Sequence, residues 1–150
     1  MSAEIIGAKE LQSHMEQAIS SYPDEAGKTL NRIGNQLKKR LKAASPDGKM
    51  KAQYKSERAR KKAIKSKLKN RWKSKLTGYG SEMRVEVWSK APHFHLVERG
   101  HKMVTRSGKS AGFIAGRFFK EKVSQAAEGD LIPTEVDKFA KRITKKIGGG

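Results

Sequence analysis

"WKSKLTGYGSEMRVEVW", residues 72–88, decides the class of fold because apolar and charged side chains alternate on both sides of a glycine-bearing connection. Trp72 and Leu76 are separated by lysines before the connection, and Val85 and Val87 are separated by an acid after it. Period two with a turn between the halves predicts an antiparallel hairpin that has one covered face.

Segments with helical periodicity flank this hairpin on both sides. Residues 8–22 and 26–44 each place an apolar residue every three or four positions, which predicts two amphipathic helices. Residues 117–128 repeat the pattern, and a last helix is expected after Thr134, which stands three residues before Asp137 as in a capping box. Helices, then a small sheet, then helices predict an α+β fold: a small antiparallel β-sheet packed with N-terminal and C-terminal α-helices, plus a long basic loop or arm.

One further strand and one domain are expected. The third strand comes from residues 102–105 or from residues 112–115, which flank the turn-rich "RSGKSAG". A chain of 150 residues most naturally makes a single domain, here residues 1–150, and at that length folding buries roughly 68–70% of the unfolded surface.

The charge of the chain is concentrated in one segment. The formal net charge is +19, and 17 of the 34 basic residues fall within residues 38–76, where Asp47 and Glu57 are the acids. Such a balance favours an anionic partner, either nucleic acid, a membrane surface or an acidic protein face. The basic segment at about 46–70 has a thin apolar stripe, so a flexible solvated arm is expected, with a helix that orders on an anionic surface as the alternative. The expected anion or DNA contacts are Lys55, Arg58, Arg60, Lys61, Lys62, Lys65, Lys67, Lys69 and Arg71.

Several classes of protein are disfavoured by composition. The chain has no cysteine, which excludes disulfides and thiolate zinc sites and makes a reducing compartment the default. It contains no run of about 18 apolar residues and no signal-peptide pattern at its start, so neither a membrane span nor secretion is expected. We expect a protein of the cytosol, or of a particle assembled there, with no membrane partner.

A second peptide, "KAPHFHLVERGHKM" at residues 90–103, holds three of the four histidines. The candidate metal ligands are His93, His95, Glu98 and His101. Residues two apart on a helix point in nearly opposite directions, so His93 and His95 cannot face one ion on a regular helix. Pro92 suits a first helical turn, and Gly100 can take the left-handed conformation that stops a helix. The peptide therefore predicts a two-turn structural helix, with no metal and no cofactor.

No pattern in the chain demands an enzyme. "RSGKS" at residues 106–110 resembles the end of a phosphate loop, but Met103 stands where the Walker pattern requires glycine. The chain has no cysteine that could act as a nucleophile, and no carboxylate pair stands out. No catalytic residue is therefore expected, and a metal-dependent nuclease stays as the third alternative.

The order of these motifs resembles the tail-completion, or head-to-tail joining, family of long-tailed double-stranded DNA bacteriophages. The matching stretches are "SPDGK", "LKNRWKSK", "MRVEVW", "APHFHLVERGH" and "GFIAGRFFKEKV", which together cover most of residues 8–128. The chain departs from the family in three places. Gly48 directly follows Asp47 where the family often has Asp-Thr-Gly, Arg99 replaces a common aromatic, and residues 49–69 are longer and more cationic than usual.

The resemblance implies a non-enzymatic virion protein of the head–tail neck, assembled in the host cytoplasm. It implies a homo-oligomer, a hexameric ring, that joins the head-completion and connector proteins to the tail terminator or tail tube protein. The basic segment would contact neighbouring neck proteins or, non-specifically, genomic double-stranded DNA in the channel. The residues assigned to the subunit body or the ring interface are His93, His95, Leu96, Val97, Glu98, Gly100, His101, Phe118 and Phe119.

The competing class is a small basic nucleic-acid-binding protein of the ribosomal or chromatin-associated kind. It shares this chain's length and its isoelectric point of about 10.3. The two classes differ in the salt dependence of DNA binding, because phosphate contacts make log affinity fall steeply with log salt.

Overall fold

The computed structural model describes residues 2–48, 50 and 52–148, with side chains from residue 12 onward except at the gaps. The apolar positions predicted at residues 8–11 lie outside the described side chains. The α-helices are α1 (Ser2–Ser21), α2 (Pro23–Ala44), α3 (Glu57–Ser66), α4 (Phe94–Arg99), α5 (Phe119–Gly129) and α6 (Leu131–Gly148). The strands are β1 (Trp72–Thr77), β2 (Arg84–Ser89), β3 (Gly100–Val104) and β4 (Ser110–Ala115). The predicted α+β class is confirmed.

The decisive hairpin forms as predicted. β1 and β2 pair antiparallel, with Trp72 opposite Ser89 and Leu76 opposite Val85. The apolar face of the hairpin packs on α2, where a Cβ at Gly34 would clash with the Val85 side chain. This glycine therefore sets how closely the helix approaches the sheet.

The two segments proposed for a third strand both become strands, but they do not extend the first sheet. β3 and β4 pair with each other antiparallel and form a separate two-stranded sheet, with an irregularity between Met103 and Val104. The expectation of a single sheet is thus corrected. The reason is local: β3 begins at Gly100, directly after α4, and its antiparallel partner follows after a five-residue turn.

A trio of aromatic rings lies where the hairpin meets the helices. Trp72, Phe94 and Phe119 stack edge to face, with ring centroids 5.4 to 6.1 Å apart. The indole Nε1 of Trp72 donates a hydrogen bond to the Ser45 hydroxyl at 2.7 Å, which satisfies the polar atom of a buried ring. Leu41 of α2 is buried in the same cluster, so this core joins α2, β1, α4 and α5.

A second core lies between α1, α2 and α6. Ala26, Phe139 and Ile143 are buried there, and Met15 and Ile19 of α1 pack against them. The stripe predicted for the last helix is thereby confirmed at Phe139 and Ile143.

The start of α6 differs from the predicted capping box. The helix begins at Leu131, and the Thr134 N–H donates to the Asp130 carbonyl at 3.2 Å, so Thr134 lies inside the helix. Asp130 accepts from the Leu131 N–H and forms an ion pair with Arg40 of α2. Pro133 is tolerated because N–H groups of a first turn have no helical partner.

The predicted long basic loop is not confirmed, because its middle forms α3. The Ser56 hydroxyl accepts a hydrogen bond from the Ala59 N–H at 3.2 Å and caps the helix. After the helix, Asn70 donates to the Ile64 carbonyl at 2.8 Å, and a 3-10 turn at Leu68–Asn70 leads into β1. Buried Leu68 then anchors the segment in the aromatic core.

Candidate functional site

The peptide at residues 90–103 is organised by Glu98. This side chain is 7% exposed, and its two carboxylate oxygens accept the backbone N–H groups of Lys120 and Glu121, each at 3.1 Å. Those N–H groups belong to the first turn of α5 and have no partner within the helix. A carboxylate at this end is also favoured by the helix dipole. Glu98 is therefore a helix cap supplied from α4, and its carboxylate is engaged inside the fold.

Backbone hydrogen bonds also join α4 to the residues just before α5. The Arg117 N–H donates to the Val97 carbonyl and the Phe118 N–H to the Glu98 carbonyl, each at 3.0 Å. A Cβ at Gly116 would lie 2.5 Å from that same Glu98 carbonyl oxygen. The two segments thus approach at a distance that a glycine permits.

The histidines do not converge as ligands. His93 and His95 are exposed, while His101 is half-buried on β3 and its Nδ1 has no hydrogen-bond partner in the described part of the chain. No group of three potential ligands positioned to hold a metal ion occurs among the described residues.

The apolar residues assigned to the body or the interface separate into two groups. Phe119 is buried, Val97 packs against its cluster, and Leu96 is half-buried. Phe118 is 44% exposed and holds a positive φ of 49° at the start of α5. Gly100 also has a positive φ, 85°, at the predicted helix stop.

The β3–β4 hairpin exposes apolar side chains on both of its faces. Phe113 is 63% exposed, Ile114 45%, Val104 68% and Met103 39%. All residues of β4 are exposed, and α4 is the element that β3 chiefly contacts besides β4. A two-stranded ribbon alone is marginally stable in water, and exposed apolar patches mark interaction surfaces. Sequence reasoning missed this surface, because alternation alone does not show that a strand lacks a covering layer.

The nine predicted anion contacts also divide into groups. Arg58, Lys61, Lys62 and Lys65 share one face of α3 by their spacing, and all four are exposed. No ion pair joins any of these four to an acid within the part of the chain that the structure describes. We call them the α3 cationic face. Lys55 precedes the helix and is exposed as well.

The other four cations contact their own chain. Arg60 pairs with Glu57 at 3.3 Å, and Arg71 donates to a backbone carbonyl at 3.2 Å. Lys67 and Lys69 both reach the Asp47 carboxylate, with Nζ–Oδ distances of 2.7 and 2.6 Å. The hydrogen bond from Lys67, followed by that from Lys69, holds the pKa of Asp47 below its ordinary value.

One family comparison bears on this arrangement. A family model described as "Bacteriophage HK97-gp10, putative tail-component" matches residues 8–100. The matched span exceeds half of the chain and includes α2, the β1–β2 hairpin and α4 with Glu98. The chain belongs to this HK97-gp10-like family of phage tail components. No curated protein and no solved structure matches it.

Family membership confirms the resemblance on which the sequence analysis depended. As an HK97-gp10-like tail component, the chain has a structural role in the phage virion and acts with other phage structural proteins. The family points to a non-enzymatic role. No helix in the described residues is both long enough and apolar enough to cross a membrane. The match ends at Gly100, where β3 begins. The exposed β3–β4 hairpin, called the ribbon below, is therefore known from this chain alone.

Proposed function

We propose that this tail component forms a hexameric ring in the head–tail neck, where it joins the head connector to the tail tube. Its neighbours on the two faces of the ring are the head-completion or connector proteins and the tail terminator or tail tube protein. The protein occupies the neck of the virion after assembly in the host cytoplasm.

The observation that carries the ring proposal is the uncovered β3–β4 hairpin. Four large apolar side chains on a two-stranded ribbon need a covering layer, and a second copy of the chain supplies one at every position of a closed ring. Phe118, three residues after the end of β4, adds a further exposed apolar side chain at 44%. Residues 99–120 contain no acid, so the ribbon also carries positive charge to its neighbour. Glu98 and Gly100 serve the ring indirectly, because they fix the start of the ribbon.

The ring is tested by replacing two side chains of the ribbon. The double variant Phe113→Ser and Ile114→Ser is expected to elute as a monomer, while the unaltered protein elutes as a hexamer in light-scattering chromatography. In a phage that carries the variant gene, unjoined heads and tails are expected to accumulate. Tyr79→Ser, which removes a 78% exposed aromatic from the β1–β2 connection, is the matched control and leaves both readouts unchanged. Infectious particles at normal yield from the double variant contradict the proposal.

A second candidate function, a basic nucleic-acid-binding protein, is favoured by the α3 cationic face. Four cations within two helical turns form a surface suited to phosphate groups. Replacing Arg58, Lys61, Lys62 and Lys65 with glutamine separates the candidates. A joint protein keeps its assembly and loses only DNA affinity, whereas a protein whose role is nucleic-acid binding loses its function in the phage.

A further inference from the structure

A second group of lysines lies outside the predicted anion contacts. Lys38, Lys39 and Lys42 of α2 line an open cleft of about 250 Å³ together with Lys69. The three α2 positions share one helix face and span about 6 Å of the helix axis. In the described part of the chain no carboxylate pairs with any of these three lysines.

Lys69 connects this cleft to a second, larger one beside α3. The second cleft measures about 650 Å³, and its lining combines the cations Arg60, Lys67 and Lys69 with Glu57 and the apolar side chains of Met50, Tyr54 and Ile64. Lys67 and Lys69 converge on the Asp47 carboxylate from two directions, at 2.7 and 2.6 Å. The ammonium groups of Lys67 and Lys69 therefore already bind the two carboxylate oxygens of Asp47. Lys69 lines both clefts, and we call the position of Asp47 beside it the junction.

We propose that this lysine track, formed by Lys38, Lys39, Lys42, Lys67 and Lys69, binds the phosphodiester backbone of double-stranded DNA. Asp47 occupies the junction in the absence of DNA and competes with phosphate for Lys67 and Lys69. One strand of duplex DNA presents a phosphate about every 3.4 Å of its axis, so the 6 Å face of α2 matches about two phosphates of one strand.

The character of the track favours DNA over an acidic protein surface. Protein interfaces bury an apolar centre. The larger cleft contains Met50, Tyr54 and Ile64, but these side chains are half-buried, and none of the exposed large apolar side chains of the described chain lines either cleft. Lysine is a strongly hydrated point charge, which suits a phosphate backbone that keeps its water. Trp72 of the α2 cleft is buried and donates a hydrogen bond to Ser45. Tyr54 of the larger cleft is half-buried, so neither cleft offers a fully exposed ring for base stacking. Binding is therefore independent of sequence.

This inference rests on the proposed function for one point: the neck channel supplies the DNA. The binding itself needs no ring, so the two proposals fail separately. Measuring the oligomeric state of each variant beside its DNA affinity shows which of them has failed.

The first test removes the α2 part of the track. The full chain is titrated with a fluorescent 30-base-pair duplex between about 50 and 200 mM salt, and the slope of log affinity against log salt is measured. The triple variant Lys38→Gln, Lys39→Gln and Lys42→Gln is expected to lower that slope by about two, since each phosphate contact contributes about 0.9. The matched control replaces Lys122, Lys141 and Lys145 of α5 and α6 with glutamine, which changes the net charge equally and leaves the slope nearly unchanged.

The second test removes the Asp47 carboxylate that binds Lys67 and Lys69. Asp47→Asn releases Lys67 and Lys69 for phosphate and is expected to raise DNA affinity several-fold and to steepen the slope by about one to two. Glu128→Gln on α5 makes the same change in net charge and controls for the long-range field, with little effect on the slope.

Three outcomes overturn the lysine track. Equal slope losses in the triple variant and its control assign binding to net charge alone. An Asp47→Asn variant that binds no better than Glu128→Gln removes the competition at the junction. Polyglutamate that binds as tightly as the duplex, with the same dependence on the three α2 lysines, assigns the surface to an acidic protein.

Discussion

The Glu98 carboxylate lies 3.1 Å from the backbone nitrogen of Glu121 and caps the helix that begins about twenty residues later in the chain. Its other oxygen accepts the neighbouring N–H of Lys120 at the same distance. One side chain thereby fixes the short α4 helix, the start of α5 and, through Gly100, the origin of the exposed ribbon.

Removal of this cap destabilises the fold. Glu98→Ala is expected to lower the free energy of unfolding by about 1–3 kcal/mol, because two backbone donors lose their acceptor in a buried place. Glu98→Gln keeps one acceptor oxygen and loses less. Urea denaturation measures both changes, and Glu128→Gln at the exposed end of α5 serves as the control. A Glu98→Ala protein as stable as the control contradicts the capping role.

The glycine at the start of β3 cannot carry a side chain. Gly100 has a φ of 85°, and a Cβ there would clash with the Ile114 carbonyl oxygen. Gly100→Ala is therefore expected to cost more than about 1 kcal/mol of unfolding free energy, measured by thermal melting. Gly129→Ala meets no atom within 4 Å and provides the neutral comparison. Equal melting temperatures for the two variants refute the strain argument.

The two tryptophans provide a matched pair. Trp72 is 5% exposed and Trp88 38%, so Trp72→Phe leaves a cavity and removes the bond to Ser45. We expect Trp72→Phe to lower the unfolding free energy by about 1–3 kcal/mol and Trp88→Phe to change it by less than about 0.5 kcal/mol. Denaturant titration of both variants checks the difference. A larger loss of unfolding free energy in Trp88→Phe than in Trp72→Phe contradicts this prediction, because it shows that Trp88 is the better-packed ring.

Acid weakens the connection between α2 and α6. The pKa of Glu25 is held below its ordinary value, first by the hydrogen bond from Lys146 and then by the charges of Lys146, Lys28 and Arg142, while burial acts in the opposite direction. Because the unfolded glutamate takes up its proton at a higher pH than the folded one, this contribution is full at neutral pH. It is lost as the pH falls below the ordinary glutamate value toward the lowered one.

Melting curves between pH 7 and pH 3 are expected to show this loss in the unaltered protein. In Glu25→Gln the decline is shallower, and the two proteins approach each other in stability at low pH. Asp24→Asn changes an exposed acid next in sequence and is expected to keep the steeper decline. A Glu25→Gln profile parallel to that of the unaltered protein contradicts the assignment.

The sequence predicted those helices and strands whose hydrophobic pattern and end signals lie within the element itself. The β1–β2 hairpin follows from alternation, and α2 follows from Pro23 and a regular apolar stripe. The thin apolar stripe among many lysines favours a flexible arm over a helix in the segment where the structure has α3. The contacts that hold this segment come from Ser56, Asn70 and Asp47, and their geometry depends on the folded chain.

The sequence predicted only part of the candidate site. Spacing was enough to argue against a metal site among His93, His95 and His101. It could not assign Glu98 to α5, because the capped N–H groups lie 22 and 23 positions away. Nor could it tell that Phe113 and Ile114 face solvent, since an apolar strand has the same pattern whether or not a second layer covers it.

The exposed ribbon on a chain of formal charge +19 has a consequence for assembly. Copies repel one another at low ionic strength, and salt screens that repulsion without weakening apolar contact. The same salt releases DNA from lysines. If the chain forms the proposed ring and binds DNA through the proposed lysine track, ionic strength has opposite effects on the two. Dilute buffer is then expected to keep subunits apart and bound to DNA, and concentrated buffer to promote their association and release them from DNA.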